Sequence, residues 1–268
     1  QLRGRRIGLI PQDPNNSLNP LKTIGASVEE GLSIHNFGDK PTRKRRAIEL
    51  LERVGIDDPQ RRYEQYPHEL SGGMKQRVLI AAAVALEPEL IIADEPTSAL
   101  DVTVQKIILD LLDNMCHELK MGILLITHDL AVAGDRANKI VVMEKGMVRE
   151  SGVAARVLTK PQHEYSKRLL ADAPSLSSPH LGTSRRGQET PQAQESLLTV
   201  TGLTQQFGDF TAVSDVSFSV APGTTHALVG ESGSGKTTTG RAISLFSRPT
   251  AGSIALHGEE ITTARGKR

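Results

Sequence analysis

Thr225 to Val229 is a short strand-forming run that leads without a break into Gly230-Glu231-Ser232-Gly233-Ser234-Gly235-Lys236-Thr237-Thr238. A glycine-rich loop closing on lysine and threonine, after a strand and before a helix, constrains the fold more than any other stretch. Its glycines let backbone N–H groups wrap a phosphate chain, and the helix that follows presents the positive end of its dipole. Lys236 is spaced to reach the β- and γ-phosphates of a nucleotide, and Thr237 to offer a hydroxyl to a magnesium ion. Gly230, Ser232, Gly233, Gly235, Lys236, Thr237 and Thr238 are therefore the candidate contacts to ATP. With glycine near 7% of residues, the bare pattern arises by chance in roughly one chain per hundred of this size. The flanking strand and helix lower that further. The fold class expected is α/β with a mostly parallel sheet.

A second stretch, Leu70 to Asp101, carries complementary chemistry. Ser71 is a natural helix N-cap, and Gly72 and Gly73 follow in the first turn, where each costs about 1 kcal/mol against alanine. That cost is intelligible where a ligand approaches bare backbone at a helix N-terminus; a plain capped helix with a glycine entry is the other reading. Val78 to Leu86 is too apolar for a surface helix. Leu90 to Ala93 reads as a buried parallel strand, ending in Asp94, Glu95 and Pro96. Ligand chemistry in open α/β sheets gathers at the carboxyl ends of strands. Asp94 is placed to hold magnesium and Glu95 to orient or deprotonate a water. A buried strand closing in an acidic turn is the alternative.

Composition narrows the class. With 38% hydrophobic residues among 268, a sizeable core is available. The formal charge of +1 gives no electrostatic reason to expect nucleic acid as a partner. A single cysteine, Cys116, excludes a disulfide framework or a cysteine zinc site within the chain and reads as a small buried hydrophobe. No apolar run approaches the roughly 18 residues of a membrane span. The chain reads as soluble and intracellular. Opening on Gln1 and closing on a charged run, it also reads as a piece of something longer.

Taken together, Leu70–Arg77 and Leu90–Pro96 resemble the signature and Walker B motifs of the ABC ATPases, in their order and separation. Other stretches then fit the same family. Gln12, in Pro11-Gln12-Asp13-Pro14, resembles the Q-loop glutamine that reaches magnesium and the attacking water; alone it reads as an exposed glutamine in a proline-rich turn. Thr97 to Asp101 resembles the D-loop, with Asp101 also placed to cap a helix from Val102 to about Leu119. His128, after a strand over Gly122 to Thr127, resembles the H-loop histidine that contacts the γ-phosphate; a structural histidine is the alternative. Phe207 stands where the family stacks adenine on an aromatic ring, although a core phenylalanine fits as well. The resemblance further implies that Ser71, Gly72 and Gly73 meet a nucleotide held by another P-loop.

The remaining stretches carry organisation more than chemistry. Residues 22–65 read as a helical subdomain, with Ala47, Leu50, Leu51 and Val54 on one helix face and a solvated basic run from Arg43 to Arg46. Lys139–Met143 and Met147–Glu150 read as a hairpin, as the family has there, and the resemblance implies an antiparallel β element as well as the parallel sheet. Pro161 to Leu170 resembles the C-terminal signature of the oligopeptide, dipeptide and nickel importer ATPases, without chemistry derivable from its residues.

The order of motifs is inverted for one such domain, because the Q-loop comes first and the P-loop last. Residues 1–172 resemble the later two-thirds of a first ATPase domain, 173–196 read as a flexible linker, and 197–268 resemble the first third of a second. The resemblance implies an ATPase that powers solute import, with peptides as the expected solute class. It implies transmembrane permease subunits, a second ATPase domain and, indirectly, a solute-binding protein as partners. The location implied is peripheral, on the cytoplasmic face of the plasma or inner membrane. A soluble ATPase of DNA repair or chromosome maintenance is the alternative, disfavoured by near-neutral charge and the lack of a zinc insertion. A non-hydrolysing regulatory module is the other, disfavoured by Glu95 and His128. If the two incomplete pieces form one permuted domain, Thr225–Val229 is expected beside Leu90–Ala93.

Overall fold

The computed structural model describes residues 2–98, 100–172, 196–230 and 233–262. Apart from Ser196, the expected linker lies outside them. The chain divides into two compact units, Gln1–Met121 and Gly122–Arg268.

In the first unit, β1 (Ile7–Ile10) leads into the short helix α1 (Pro14–Ser17) and then α2 (Ile24–Ile34), α3 (Lys40–Arg53), α4 (Pro59–Tyr63) and α5 (Gly72–Val84). Strand β2 (Leu90–Asp94) and helix α6 (Val102–Leu119) complete it. Strands β1 and β2 pair in parallel from Ile7↔Leu90 to Ile10↔Ala93. All five residues of β2 are buried, as its unbroken apolar run requires. The α3 face expected from periodicity is the observed one: Ala47, Leu50, Leu51 and Val54 are at most 2% exposed. Thr23, Asp39, Ser71 and Asp101 each cap the helix that follows through a side-chain oxygen. In the basic run, Lys44 pairs with Glu64 and Arg46 with Glu87.

In the second unit, β3 (Gly122–Thr127), α7 (Leu130–Arg136), β4 (Lys139–Glu144), β5 (Met147–Val153), α8 (Ala154–Thr159) and α9 (Glu164–Ala171) precede the undescribed segment. After it come β6 (Leu198–Phe207), β7 (Phe210–Val220), β8 (Thr225–Val229), α10 (Lys236–Ile243), β9 (Ala251–Leu256) and β10 (Glu259–Glu260). Strand β8 inserts between β3 and β4, parallel to both. Strand β5 turns back antiparallel on β4, as the hairpin pattern predicts. Strands β10, β9, β6 and β7 form a separate antiparallel sheet. The α/β class and the antiparallel element are thus those expected from the sequence.

The position of β8 corrects one expectation. Both of its hydrogen-bonding edges are occupied, by β3 from Ile123↔Thr225 to Thr127↔Val229 and by β4 from Lys139↔His226 to Val142↔Val229. It therefore does not lie beside Leu90–Ala93. Its residues Ala227, Leu228 and Val229 are fully buried, and a strand apolar on both faces is stable only with neighbours on both edges and layers on both faces. Ala227 and Val229 pack with Leu130, Ile140, Val142, Val157 and Tyr165 in one core. Strands β6 and β7 are long and meet at a two-residue turn, Gly208 and Asp209. Gly208 has φ 58, a turn conformation that lets polar Gln205 and Gln206 continue the strand.

Tyr165 also gives the Pro161–Leu170 stretch a physical role. The Glu150 carboxylate on β5 accepts from the amides of Gln162 at 2.8 Å and His163 at 3.1 Å. His163 Nδ1 then caps α9 by accepting from Tyr165 N at 3.1 Å. The helix is thereby aimed so that Tyr165, 4% exposed, enters the core. Among the described residues, no helix is long and apolar enough to cross a membrane.

His226 on β8 is 2% exposed. Burial, and secondarily the charge of Lys139, hold its imidazole down at about 4 against an ordinary 6.5. A depressed folded pKa means that the unfolded chain binds the proton first. Stability is therefore intact above about pH 6.5 and declines as the pH falls through 4, by on the order of 3 kcal/mol. Thermal unfolding across this range should show a markedly smaller acid loss in His226→Leu than in the wild type. Parallel losses in the two proteins would exclude His226 as the source.

Candidate functional site

In the first unit the candidate residues Gln12, Asp94 and Glu95 sit at the carboxyl end of a parallel strand pair. Because Ile10 is in register with Ala93, the chain leaves β1 through Pro11 and Gln12 at the edge where β2 delivers Asp94 and Glu95. Asp94 is 8% exposed. Glu95 has φ 45, a left-handed conformation that costs a non-glycine residue roughly 1–2 kcal/mol. Gln12 Nε2 donates to Glu95 Oε2 at 3.0 Å. Ser98 closes the arrangement from the other side, its amide donating to Glu95 O at 3.0 Å and its Oγ to Gln12 O at 3.3 Å.

The signature segment has two glycines in different surroundings. Ser71 Oγ accepts from Met74 N at 3.4 Å and so opens α5. A Cβ on Gly73 would lie 2.7 Å from Val104 Cγ1 on α6, whereas one on Gly72 would meet only Leu100 Cδ2 at 3.8 Å. Gly73 is required by helix packing. Gly72 and Ser71 are exposed, and only there is the helix entry open to a ligand.

In the second unit the in-register pair Thr127↔Val229 places His128 and Gly230 one residue beyond adjacent strand ends, where strands lie about 4.8 Å apart. Thr127 Oγ1 accepts from Asp129 N at 3.0 Å, and Asp129 Oδ1 caps α7 by accepting from Ala131 N at 2.8 Å. With its neighbours so bound, His128 stands exposed at the strand end. The loop after β8 is shaped from behind. Gly146, in the β4–β5 turn, donates from its amide to Ser234 O at 2.9 Å and accepts from Ser214 N at 2.7 Å. Gly235, at φ 97, opens α10, and a Cβ there would lie 2.6 Å from Ala212 O. Gly233 meets no described atom within 4 Å of a built Cβ, so that side of the loop is open. Lys236, 5% exposed, folds across the loop and donates from Nζ to Gly230 O at 2.8 Å. Thr237 and Thr238 follow in the first turn of α10. Ser232 lies outside the described residues.

Phe207 and Phe210 face each other across the β6–β7 turn. They are 55% and 67% exposed, so Phe207 is not a core residue. Ala212, two residues further along β7, is the residue whose carbonyl crowds Gly235. The hairpin tip therefore lies close to the loop between β8 and α10 within this unit.

A family model described as "ABC transporter" matches residues 1–98 and 213–268, and these two segments hold both strand-end clusters apart from His128. The chain belongs to the ABC transporter family. Among its relatives, the glutathione import ATP-binding protein GsiA of Salmonella typhimurium strain LT2 is 38% identical over 291 residues, covering 98% of this chain and 47% of that protein. The peptidoglycan transport ATP-binding protein YejF of Agrobacterium fabrum is 43% identical over 245 residues, covering 91% and 45%. The chain thus spans about half the length of the curated relatives it matches. A solved structure, the dimeric structure of MJ0796, a bacterial ABC transporter cassette, is 33% identical with a TM-score of 0.51, covering 57% of this chain and 65% of that one.

For an ABC transporter cassette, the residues singled out in sequence fall into three groups. Gln12, Asp94 and Glu95 converge in the first unit; Gly230, Lys236, Thr237 and His128 gather in the second; Ser71 and Gly72 open a helix entry of their own. Sequence reasoning missed the residues that hold the first group. Ser98 stands in the D-loop pattern without a role of its own, and Asn15, which accepts from Lys75 Nζ at 2.8 Å, belongs to no motif. Contacts between residues tens of positions apart leave no periodic trace.

Gly72 and Gly73 separate packing from ligand approach. Gly73→Ala is expected to lower stability by about 1–3 kcal/mol through overpacking against Val104. Gly72→Ala is expected to hold stability or gain up to about 1 kcal/mol of helix propensity. Urea unfolding of the two variants checks this; equal destabilisation would remove the distinction.

Proposed function

We propose that this chain is the nucleotide-binding and hydrolysing part of an ABC importer. The observation that carries the reading is the hydrogen bond from Gln12 to Glu95 at the end of β2. It sets a carboxylate, beside buried Asp94, where an attacking water is to be oriented. Phosphoryl transfer demands little covalent chemistry from a protein; positioning and neutralisation of charge suffice.

In this reading the loop from Gly230 to Gly235 wraps the phosphate chain with its amides. Lys236 moves its ammonium from the Gly230 carbonyl to the β- and γ-phosphate oxygens. Phe207 stacks on adenine. His128, fixed beyond β3, donates to the γ-phosphate, and Glu95 accepts the proton of the attacking water. Thr237 offers a hydroxyl in the second unit, and Asp94 and Gln12 offer a carboxylate and an amide oxygen in the first. Such hard oxygen donors suit magnesium, which when bound neutralises charge on the phosphates. Ser71, Gly72 and Gly73 serve a nucleotide held by the P-loop of a partner ATPase domain, fused or separate.

The whole protein is read as working with transmembrane permease subunits at the cytoplasmic face of the inner membrane, fed by a solute-binding protein. Peptides or glutathione are the proposed solutes, supported by the glutathione and peptidoglycan transport named for the relatives. The piecewise order, with 1–172 and 197–268 each resembling part of a cassette, supports an intact protein with tandem cassettes.

In the intact protein, Glu95→Gln should retain ATP binding and lose turnover by roughly 10²–10⁴, the usual cost of removing a general base. A rate within about threefold of wild type would refute that role. Lys236→Ala should weaken nucleotide binding at its own site, measured by titration with a fluorescent ATP analogue; unchanged affinity there would count against the P-loop assignment.

A further inference from the structure

We infer that Lys75 is a positioning residue for hydrolysis, which sets Gln12 against Glu95 through Asn15 and the helix α1. This rests on the hydrolytic role proposed above for Glu95.

Every link lies in the first unit. Lys75 is on the second turn of α5, four residues past the cap Ser71. Its Nζ donates to Asn15 Oδ1 at 2.8 Å, a contact between residues 60 apart in sequence. Asn15 belongs to α1, only four residues long and therefore too short to hold itself together by helix cooperativity. What orders it is a set of local bonds to Asp13. Asp13 Oδ1 accepts from Asn15 N at 2.8 Å, its Oδ2 from Asn16 Nδ2 at 2.6 Å, and its carbonyl from Ser17 Oγ at 2.5 Å. These bonds make α1 internally rigid, but none ties it to another element. The bond from Lys75 supplies that tie. Gln12 is the residue immediately before this rigid piece, with its side chain on Glu95 and its carbonyl on Ser98. Hydrogen bonds, joined through the Gln12–Asp13 peptide link, therefore connect α5, the helix opened by Ser71 and Gly72, to the carboxylate at the end of β2.

The physical consequence is specific. Ammonium to amide oxygen is a charge-assisted bond, stronger than a neutral one, and it holds the start of α1 at Asn15, while buried Leu18 anchors the other end. Without it the start of α1 next to Gln12 loses its polar anchor, and Gln12 meets Glu95 in a smaller fraction of molecules. Nucleotide affinity falls less than turnover, because neither Lys75 nor Asn15 belongs to the Gly230–Gly235 loop. Turnover falls with the occupancy of the Gln12–Glu95 bond.

The test uses the intact protein and two readouts. Lys75→Met should lower kcat for ATP roughly three- to tenfold, the scale of one exposed charge-assisted hydrogen bond, with KM unchanged within about twofold. Lys75→Arg, which keeps a donor of similar reach, should recover most of the loss. In a Gln12→Ala background, Lys75→Met should add nothing further, since both act through one bond. Independently of activity, hydrogen exchange without nucleotide should quicken at residues 12–18 in Lys75→Met and at no other described segment of α2 or α3. Unchanged exchange there overturns the inference, and so does a multiplicative loss in the double variant. Full turnover in Glu95→Gln would instead remove the hydrolytic reading beneath it, and the exchange measurement tells these two failures apart.

Discussion

The insertion of β8 between β3 and β4 is the constraint on which the second unit depends. Parallel ladders on both edges, with apolar layers on both faces, leave Thr225–Val229 without alternative registers, because a slip of one residue would turn every side chain to the opposite face. The carboxyl end of β8 is consequently fixed against that of β3, and Gly230 and His128 are brought to one edge. The same burial that secures the strand strips solvent from His226, which is why an imidazole with no evident part in the chemistry is kept neutral there. Residues on either side of the undescribed segment are thus bound into one sheet.

Glycine in this chain answers to crowding as much as to ligands. The end of the loop between β8 and α10 is shaped from behind, where Gly146 and the carbonyl of Ala212 press on Ser234 and Gly235. A side chain at Gly235 would collide with protein before any nucleotide arrived. Gly73 tells the same story on α5, with Val104 as the neighbour. Gly233 and Gly72 are the exceptions, open on the side where a phosphate would approach. In each motif, then, one glycine is demanded by packing, while Gly233, at φ 78, also answers to its backbone conformation and Gly72 lies at an open helix entry.

Much of the chemistry was legible in the sequence because it resides in local patterns. A P-loop, an acidic strand end, a capped glycine entry and a lone histidine after a strand are each written within ten residues. The strand and helix assignments followed for the same reason, since apolar runs and caps are local: α6 spans Val102–Leu119 as its pattern predicts. Phe207 was undecided between core and ligand because an aromatic at a strand end has the same local context in either case. Only its exposure separates them. Pro161–Leu170 was recognisable but unexplained, because Glu150, the residue that aims it, lies on another strand.

The sequence by itself determined the α/β class and the elements, because these depend on periodicity and capping over short spans, and it named the candidate site residues by their type and spacing. Tertiary structure decided which strands became neighbours. It put β8 between β3 and β4 rather than beside Leu90–Ala93, since strand order is settled by which apolar edges and faces can be covered together, a long-range competition that no local pattern records. It also decided that Gln12 meets Glu95, and that Lys75 reaches Asn15 across 60 residues. Hydrogen bonds of that kind exist only once the packing of α5, β1 and β2 has brought their partners within 3 Å.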